Sequence, residues 1–209
     1  VRDPSPSNDE ARERADVRRN RRRLLDAAID LILESGGAPT RDAVARRAGI
    51  GIATLYRHFP DQQALLRGVA LDVLDRTIAA GEAALAEADD GVAAVRRYLH
   101  ATIDTGLGAV NIVHALLDDT AWPERGAAAA NMLERLTAAA HRAGGSRSLT
   151  ASDIALASIR FCRPLSIGLG PEAERDLAHR HLDIFLDGLL PPPAPTRRSR
   201  GNATARRAG

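Results

Sequence analysis

Residues 40–59 read TRDAVARRAGIGIATLYRHF, a pattern suited to recognising a double helix. Two short apolar-faced helices joined by a turn of about three or four residues containing Gly form a helix-turn-helix. Ala45 falls where the helices must cross, and its small side chain lets them approach. Gly49, four residues on, can take the left-handed backbone that such a turn needs. Val44, Ala48, Ile50 and Leu55 supply the apolar faces that fix the angle between the two helices. The second helix is then held outward with Gly51, Ile52 and Ala53 at its leading end, as a recognition helix enters a major groove. The same spacing also fits an αα-hairpin in a bundle, in which Gly49 only ends a helix.

Other reactive groupings are missing from the sequence. It contains no G-x-S-x-G, no Walker glycine-lysine motif and no H-E-x-x-H. The lone cysteine, Cys162, follows Phe161 in an apolar stretch; it reads as a buried structural thiol and cannot form an internal disulfide. His179 and His181 are two apart, so on a helix they diverge by roughly 200° and cannot share a metal. Asp89-Asp90 and Asp118-Asp119 read as solvated helix ends. The expectation is a protein that is not an enzyme and uses neither metal nor cofactor.

All 29 basic residues are Arg, and they are unevenly spread. Residues 1–70 carry 13 Arg against 10 acidic residues, residues 71–190 carry 11 against 17, and residues 191–209 carry 5 against none. A basic front on an acidic body points one end of the molecule at a polyanion. A coding bias toward Arg explains the missing Lys, but not the thinning of acids near one end. Hydrophobic residues at 44% and charged residues at 27% are ordinary for a globular chain. No secretory leader is read, and the longest uncharged central run, Thr105 to Leu117, is 13 residues, too short to span a bilayer. A cytoplasmic protein without a membrane partner is expected.

The elements that must position these groups are helical nearly throughout, with Ala and Leu dominant and alternating strand patterns absent. The expected fold is all-α with about nine helices. Residues 1–17 read as a polar arm, 18–64 as the helix-turn-helix domain, 65–190 as a second helical domain and 191–209 as a disordered basic tail. Ser7-Asn8-Asp9-Glu10 also fits a capping box that would start the first helix early. Helices are expected over 18–35, with Leu25, Ala28, Ile29 and Ile32 on one face, and over 40–48, 51–59 and 61–87. Others follow near 91–106, 109–118, 123–143, 150–168 and 172–189. Pro164 should kink the eighth, shaping a pocket, or mark its end.

The closing string Thr54-Leu55-Tyr56-Arg57-His58-Phe59, followed by Pro60-Asp61 and Leu65-Leu66, separates the two readings of residues 40–59. Together with the apolar first helix, Thr40, Ala45 and Gly49, it makes residues 20–70 resemble the tetracycline-repressor (TetR) family of bacterial transcriptional regulators. The resemblance implies that Thr40, Tyr56 and His58 touch the DNA backbone, where hydroxyl and ring N–H groups suit phosphate oxygens. It implies that Arg41, Asp42, Gly51, Ile52 and Ala53 face base edges, with Arg57 beside them. Of these Arg41 is the good direct reader, because a guanidinium pairs with guanine O6 and N7. Two positions depart from the common pattern: Gly51 stands where many members have Ser or Thr, and Gln62 where many have Lys. The run Arg18, Arg19, Arg21, Arg22 and Arg23 is a candidate replacement for that phosphate contact, or a solvated face paired with Glu10, Glu13 and Asp16.

For the larger remainder, the resemblance implies a C-terminal regulatory domain that forms a homodimer and encloses a small-molecule effector. Ile154, Ile159, Cys162 and Leu165 form one candidate dimer stripe, and Ala178, Leu182, Phe185 and Leu189 another, making a four-helix interface. Periodicity equally allows these stripes to pack on their own subunit. Candidate pocket residues are the polar, aromatic and thioether groups Tyr98, Thr102, Asn111, His114, Trp122, Met132 and Phe161, each also a common core or surface residue. The implied function is a repressor released from a DNA operator by an effector. The alternatives are a DNA-binding regulator with no small-molecule effector, constitutive or controlled by a protein partner, and an all-α enzyme or chaperone-like protein with an incidental helix-turn-helix. An apolar cavity lined by the middle helices would favour the effector; a solidly packed core would favour a regulator without one.

Overall fold

Leu24, Leu25, Ala28, Ile29 and Ile32 recur at helical spacing and form the buried face of α1 (Asn8–Ser35) in the structure, a computed structural model. The structure describes residues 8–116, 123–165 and 168–189. α1 begins at Asn8, so the expected polar arm over 1–17 gives way to helix from residue 8, and Ser7 lies outside the described residues. Asp9 and residues 12–19 are exposed. Carboxylates complement a helix N-terminus, and Asp9, Glu13 and Asp16 sit there among arginines at helical spacing, Asp16 pairing with Arg19.

α2 (Arg41–Ala48) and α3 (Ile52–His58) follow, then the long α4 (Gln62–Glu87). Asp61 caps α4 by accepting the Ala64 N–H at 2.7 Å. α5 (Gly91–Asp104) starts from Asp90, whose carboxylate accepts the Val92 and Ala93 N–H groups at 2.8 Å each. α6 (Leu107–Val113) runs into a short 3-10 turn, His114–Leu116; then come α7 (Pro123–Arg142), α8 (Ala151–Phe161) and α9 (Pro171–Leu189). Thr150 and Asp153 close a reciprocal capping box at the start of α8. The all-α expectation holds, with nine α-helices and no strand among the described residues.

α8 ends at Phe161, earlier than the expected 168. A proline disfavours helical backbone at the residue before it, so Pro164 ends α8 instead of kinking it. Leu165 therefore lies in the connection to α9 and not on a dimer helix.

Two apolar clusters hold these elements together. The first joins α1, α2, α3, α6 and the front of α4 around Leu24, Ile32, Val44, Leu55, Phe59, Leu65 and Val113. The second joins α5, α7, α8 and α9 to the rear of α4 around Tyr98, Met132, Leu136, Ile154, Leu182 and Leu186. α4 runs through both, so the sequence division at 64/65 falls inside a continuous helix. Arg76 on α4 pairs with Asp26 on α1 and with Asp72, fixing the first helix on this shaft.

The contact of α5 with α7 is tightest at Gly91, where an added Cβ would lie 2.0 Å from the Ala139 carbonyl carbon and oxygen. Gly91→Ala should lower the unfolding free energy by about 3 kcal/mol, as overpacking against rigid backbone does. Gly126→Ala on α7, where no atom lies within 4 Å of the added Cβ, should be neutral or stabilise by about 0.5–1 kcal/mol. Equal shifts in urea unfolding of the two variants would contradict this packing.

Candidate nucleic-acid interface

Thr40 stands in extended backbone (φ −71°, ψ 148°), and its hydroxyl accepts the Ala43 N–H at 3.2 Å, starting α2. Val44, Ala45 and Ala48 bury the inner face of that helix. Gly49 ends it at φ 62°, ψ 38°; its N–H donates to Arg46 O at 3.1 Å and the Ile50 N–H to Ala45 O at 3.0 Å. The remaining Ala48 carbonyl accepts from Arg23 Nη2 on α1 at 2.6 Å. The same Nη2 would be 3.2 Å from a Cβ at Gly49, so the turn is both left-handed and crowded. Arg47 ties α2 back to α1 by two bonds to Glu34, at 2.8 and 2.7 Å.

Gly51 supplies no side-chain cap to α3, but its carbonyl accepts the Thr54 and Leu55 N–H groups at 2.9 and 3.2 Å. Leu55 and Phe59 are fully buried and anchor the inner side of α3. The outer side presents Gly51, Ile52, Ala53, Tyr56 and Arg57 to solvent, with Thr40 and Asp42 exposed at the start of α2. Arg57 Nη2 donates to the Thr54 hydroxyl at 3.0 Å.

Arg41 does not point freely outward. Its guanidinium carbon lies 4.5 Å from the Tyr56 ring centroid, and Nη1 donates to Pro60 O at 2.6 Å. The expected base reader and the expected phosphate clamp are thus in contact with each other. His58 is half-buried beside Phe59, and burial, then the charges of Arg21 and Arg57, hold its imidazole below the usual range. Gln62, in the position where lysine was noted as common, donates to Pro39 O at 2.9 Å and ties α4 to the chain entering α2.

The arginine run on α1 is largely engaged within the chain. Arg19 pairs with Asp16, Arg21 stacks on Phe59 at 4.7 Å, Arg22 lies 3.6 Å from Asp26, and Arg23 caps α2. Arg21 and Arg23 brace the helix-turn-helix from behind, while Arg18, Arg19 and Arg22 stand exposed along α1. Sequence spacing missed this because the partners lie about 25 to 38 residues away.

The body departs further from expectation. Tyr98 and Met132 fill the second cluster, and Thr102 is buried. Burial pushes the Tyr98 phenol up to about 12 despite its hydrogen bond with Ser158, and the Met132 sulfur occupies the space where Gly81 lacks a Cβ. Asn111 donates to Ile159 O at 3.4 Å, His114 is exposed, and Trp122 lies outside the described residues. Phe161 lines a cavity of about 760 Å³ between the end of α1, the start of α6 and the α8–α9 connection. Pro164 is in that wall; the arginines around it were the sequence signal not followed.

The dimer stripes are likewise split. Ile154 and Leu182 point into their own subunit's core, whereas Ile159, Leu165 and Phe185 are exposed and the Leu189 side chain lies outside the described residues. Cys162 is half-buried; its thiol donates to the Thr102 hydroxyl at 3.6 Å and burial raises it to about 11. Leu156 on α8, 63% exposed, and Ile184 on α9, 67% exposed, were not in the expected stripes. Among the described residues no cluster of three or more metal-type side chains occurs, and no helix is long and apolar enough to cross a membrane.

Residues 24–69 match the family model for bacterial regulatory proteins of the tetR family. A stretch of 88 residues, 42% of this chain, is 37% identical to the HTH-type transcriptional repressor LfrR of Mycolicibacterium smegmatis, spanning 46% of that relative's length. The TetR transcription regulatory protein from Mycobacterium vanbaalenii superposes with a TM-score of 0.62 at 31% identity, covering 85% of this chain and 98% of that one. The crystal structure of LfrR from Mycobacterium smegmatis in complex with proflavine gives a TM-score of 0.57 at 26% identity, covering 79% and 95%. With residues 24–69 matching at the helix-turn-helix and a 31% identical relative matched over almost its whole length, the chain belongs to the tetR family of bacterial transcriptional regulators, a class of regulators and not of enzymes.

Proposed function

We propose that the chain is a homodimeric repressor that grips a partly palindromic DNA operator and is released by a small-molecule effector. The observation that carries this reading is the outer side of α3, where Gly51, Ile52, Ala53, Tyr56 and Arg57 stand exposed on a helix pinned from within by Leu55 and Phe59. A short rigid helix presented this way can enter a major groove while its flanks meet phosphate. Thr40, Tyr56 and His58 take the phosphates; Arg41, Asp42, Gly51, Ile52 and Ala53 face the bases, Ile52 and Ala53 through methyl contact with thymine. Arg41 reaches guanine by swinging from Pro60 O while it keeps the Tyr56 ring as its platform.

The pairing of two such heads rests on the exposed apolar groups Leu156 and Ile159 of α8 and Ile184 and Phe185 of α9, which a second copy would cover. Repression is by analogy with LfrR, a transcriptional repressor that has been crystallised with proflavine, and the cavity beside α8 gives an effector room. A second reading, a regulator with no small-molecule effector, is favoured by the filled core around Tyr98 and Met132.

Tyr56→Ala removes both a phosphate donor and the platform under Arg41, so operator affinity should fall about 10- to 100-fold, alike on cognate and altered sites. Arg41→Ala should instead flatten the preference for a guanine by about 1–3 kcal/mol while sparing binding to mixed-sequence DNA. Fluorescence anisotropy on a small panel of operators selected from random DNA checks both. A uniform loss in Arg41→Ala, with the guanine preference intact, would overturn Arg41 as the reader.

The pH dependence follows from His58. Its imidazole is depressed in the free protein, so the neutral ring favours the folded chain and that contribution is lost as pH falls below the unfolded value. A phosphate at the ring favours the charged form, so the DNA complex holds more proton than the free protein. Affinity should therefore rise between about pH 8 and pH 6, by up to tenfold for each unit the phosphate raises the imidazole. His58→Gln should remove that rise at constant salt; an unchanged pH profile would remove His58 from the interface.

A further inference from the structure

The cavity of about 760 Å³ lies away from the core residues of the middle helices and is walled by the end of α1, the start of α6 and the α8–α9 connection. Its volume lies within the range of small-molecule sites. Leu33 and Phe161 contribute apolar wall, and five charged groups on α1, α8, the α8–α9 connection and α9 decide its sign. Glu34 is spent on Arg47 of α2. Arg175 lies 3.7 Å from Asp104. Arg160 in the last turn of α8 and Arg163 two residues past its end have no ion pair among the described residues, and Glu174 is the second wall carboxylate, set against them. Two unpaired guanidiniums beside an apolar wall suit an anion carried on a hydrocarbon tail and disfavour a cation.

We infer that this cavity is the effector site and that it takes an amphipathic anion, a carboxylate or phosphate head held by Arg160 and Arg163 with its tail against Leu33 and Phe161. The inference rests on the effector-released reading above and names the class of molecule that reading requires. It also supplies a route to the DNA-binding head. Glu34, one of the residues that line the cavity, also grips Arg47, so a ligand there lies beside a member of the pair that ties α2 to α1.

Isothermal titration of the full chain with decanoate, decyl phosphate, decan-1-ol and decylammonium tests the assignment. Decanoate or decyl phosphate should bind at least about tenfold more tightly than the alcohol, and decylammonium more weakly still. The tighter of the two anions tells which head the site serves. Arg160→Gln with Arg163→Gln changes two exposed side chains and should erase the anions' advantage while leaving the alcohol's affinity unchanged. Equal binding of anion and alcohol, tightest binding of decylammonium, absence of binding by all four, or an undiminished anion preference in the double variant would overturn the anion site. Operator release is read separately by anisotropy: anion-selective binding with the DNA complex intact would keep the site and overturn effector release.

Discussion

Arg23 of α1 reaches across to the carbonyl of Ala48, the last residue of α2, just where the chain turns through the left-handed backbone of Gly49. A buried helix end leaves carbonyls without partners, and a guanidinium bond to one of them contributes about 1.5–3 kcal/mol. The direction of α3 hangs on this turn. If Gly49 relaxed, Leu55 and Phe59 would leave the pocket between α1 and α4, and the outer side of α3 would no longer be held square to the body. Arg21 on Phe59 and Arg47 on Glu34 brace the same unit from two further sides. Two of the five arginines that look on paper like a phosphate grip, Arg21 and Arg23, are scaffold of the recognition unit.

Local order was legible where it is set by neighbours in the chain. The caps at Thr40, Asp61 and Asp90, the glycine turn at 49 and the buried stripe of α1 all follow from residue types a few positions apart. Those grounds left the helix-turn-helix and an αα-hairpin both open, and the string Thr54 to Phe59 separated them. What the sequence hid is set at long range. Arg41 stacks on a ring 15 residues away and bonds a carbonyl 19 away, so its apparent freedom as a base reader was misleading. In the body, Tyr98 and Met132 have the composition of a ligand pocket and the placement of a core, because only the missing Cβ of Gly81 makes room for the Met132 sulfur. Ile154 and Leu182 share their helices with exposed apolar residues, and periodicity cannot tell which stripe faces inward when a helix has two.

The body and the head are not separated by a linker. α4 carries residues of both clusters, α1 ends in the cavity wall, and Glu34 joins that wall to α2. A change of packing near the α8–α9 connection can therefore reach the head through α1 alone, over one ion pair, without unfolding anything between. Coupling of this kind acts only as far as the ligand prefers one of two arrangements, which makes charge selectivity at Arg160 and Arg163 relevant to control as well as to binding.

The central claim is that the outer side of α3 lies in the major groove, twice per complex. Cys162 is half-buried with its thiol raised to about 11, so a cysteine introduced on α3 by Ala53→Cys is the reactive one and can carry an iron chelate. Hydroxyl-radical cleavage of an operator selected from random DNA should then fall in two major-groove clusters about one helical turn apart. A single cluster would contradict the paired heads. Tight binding with no localised cleavage would contradict the placement of α3.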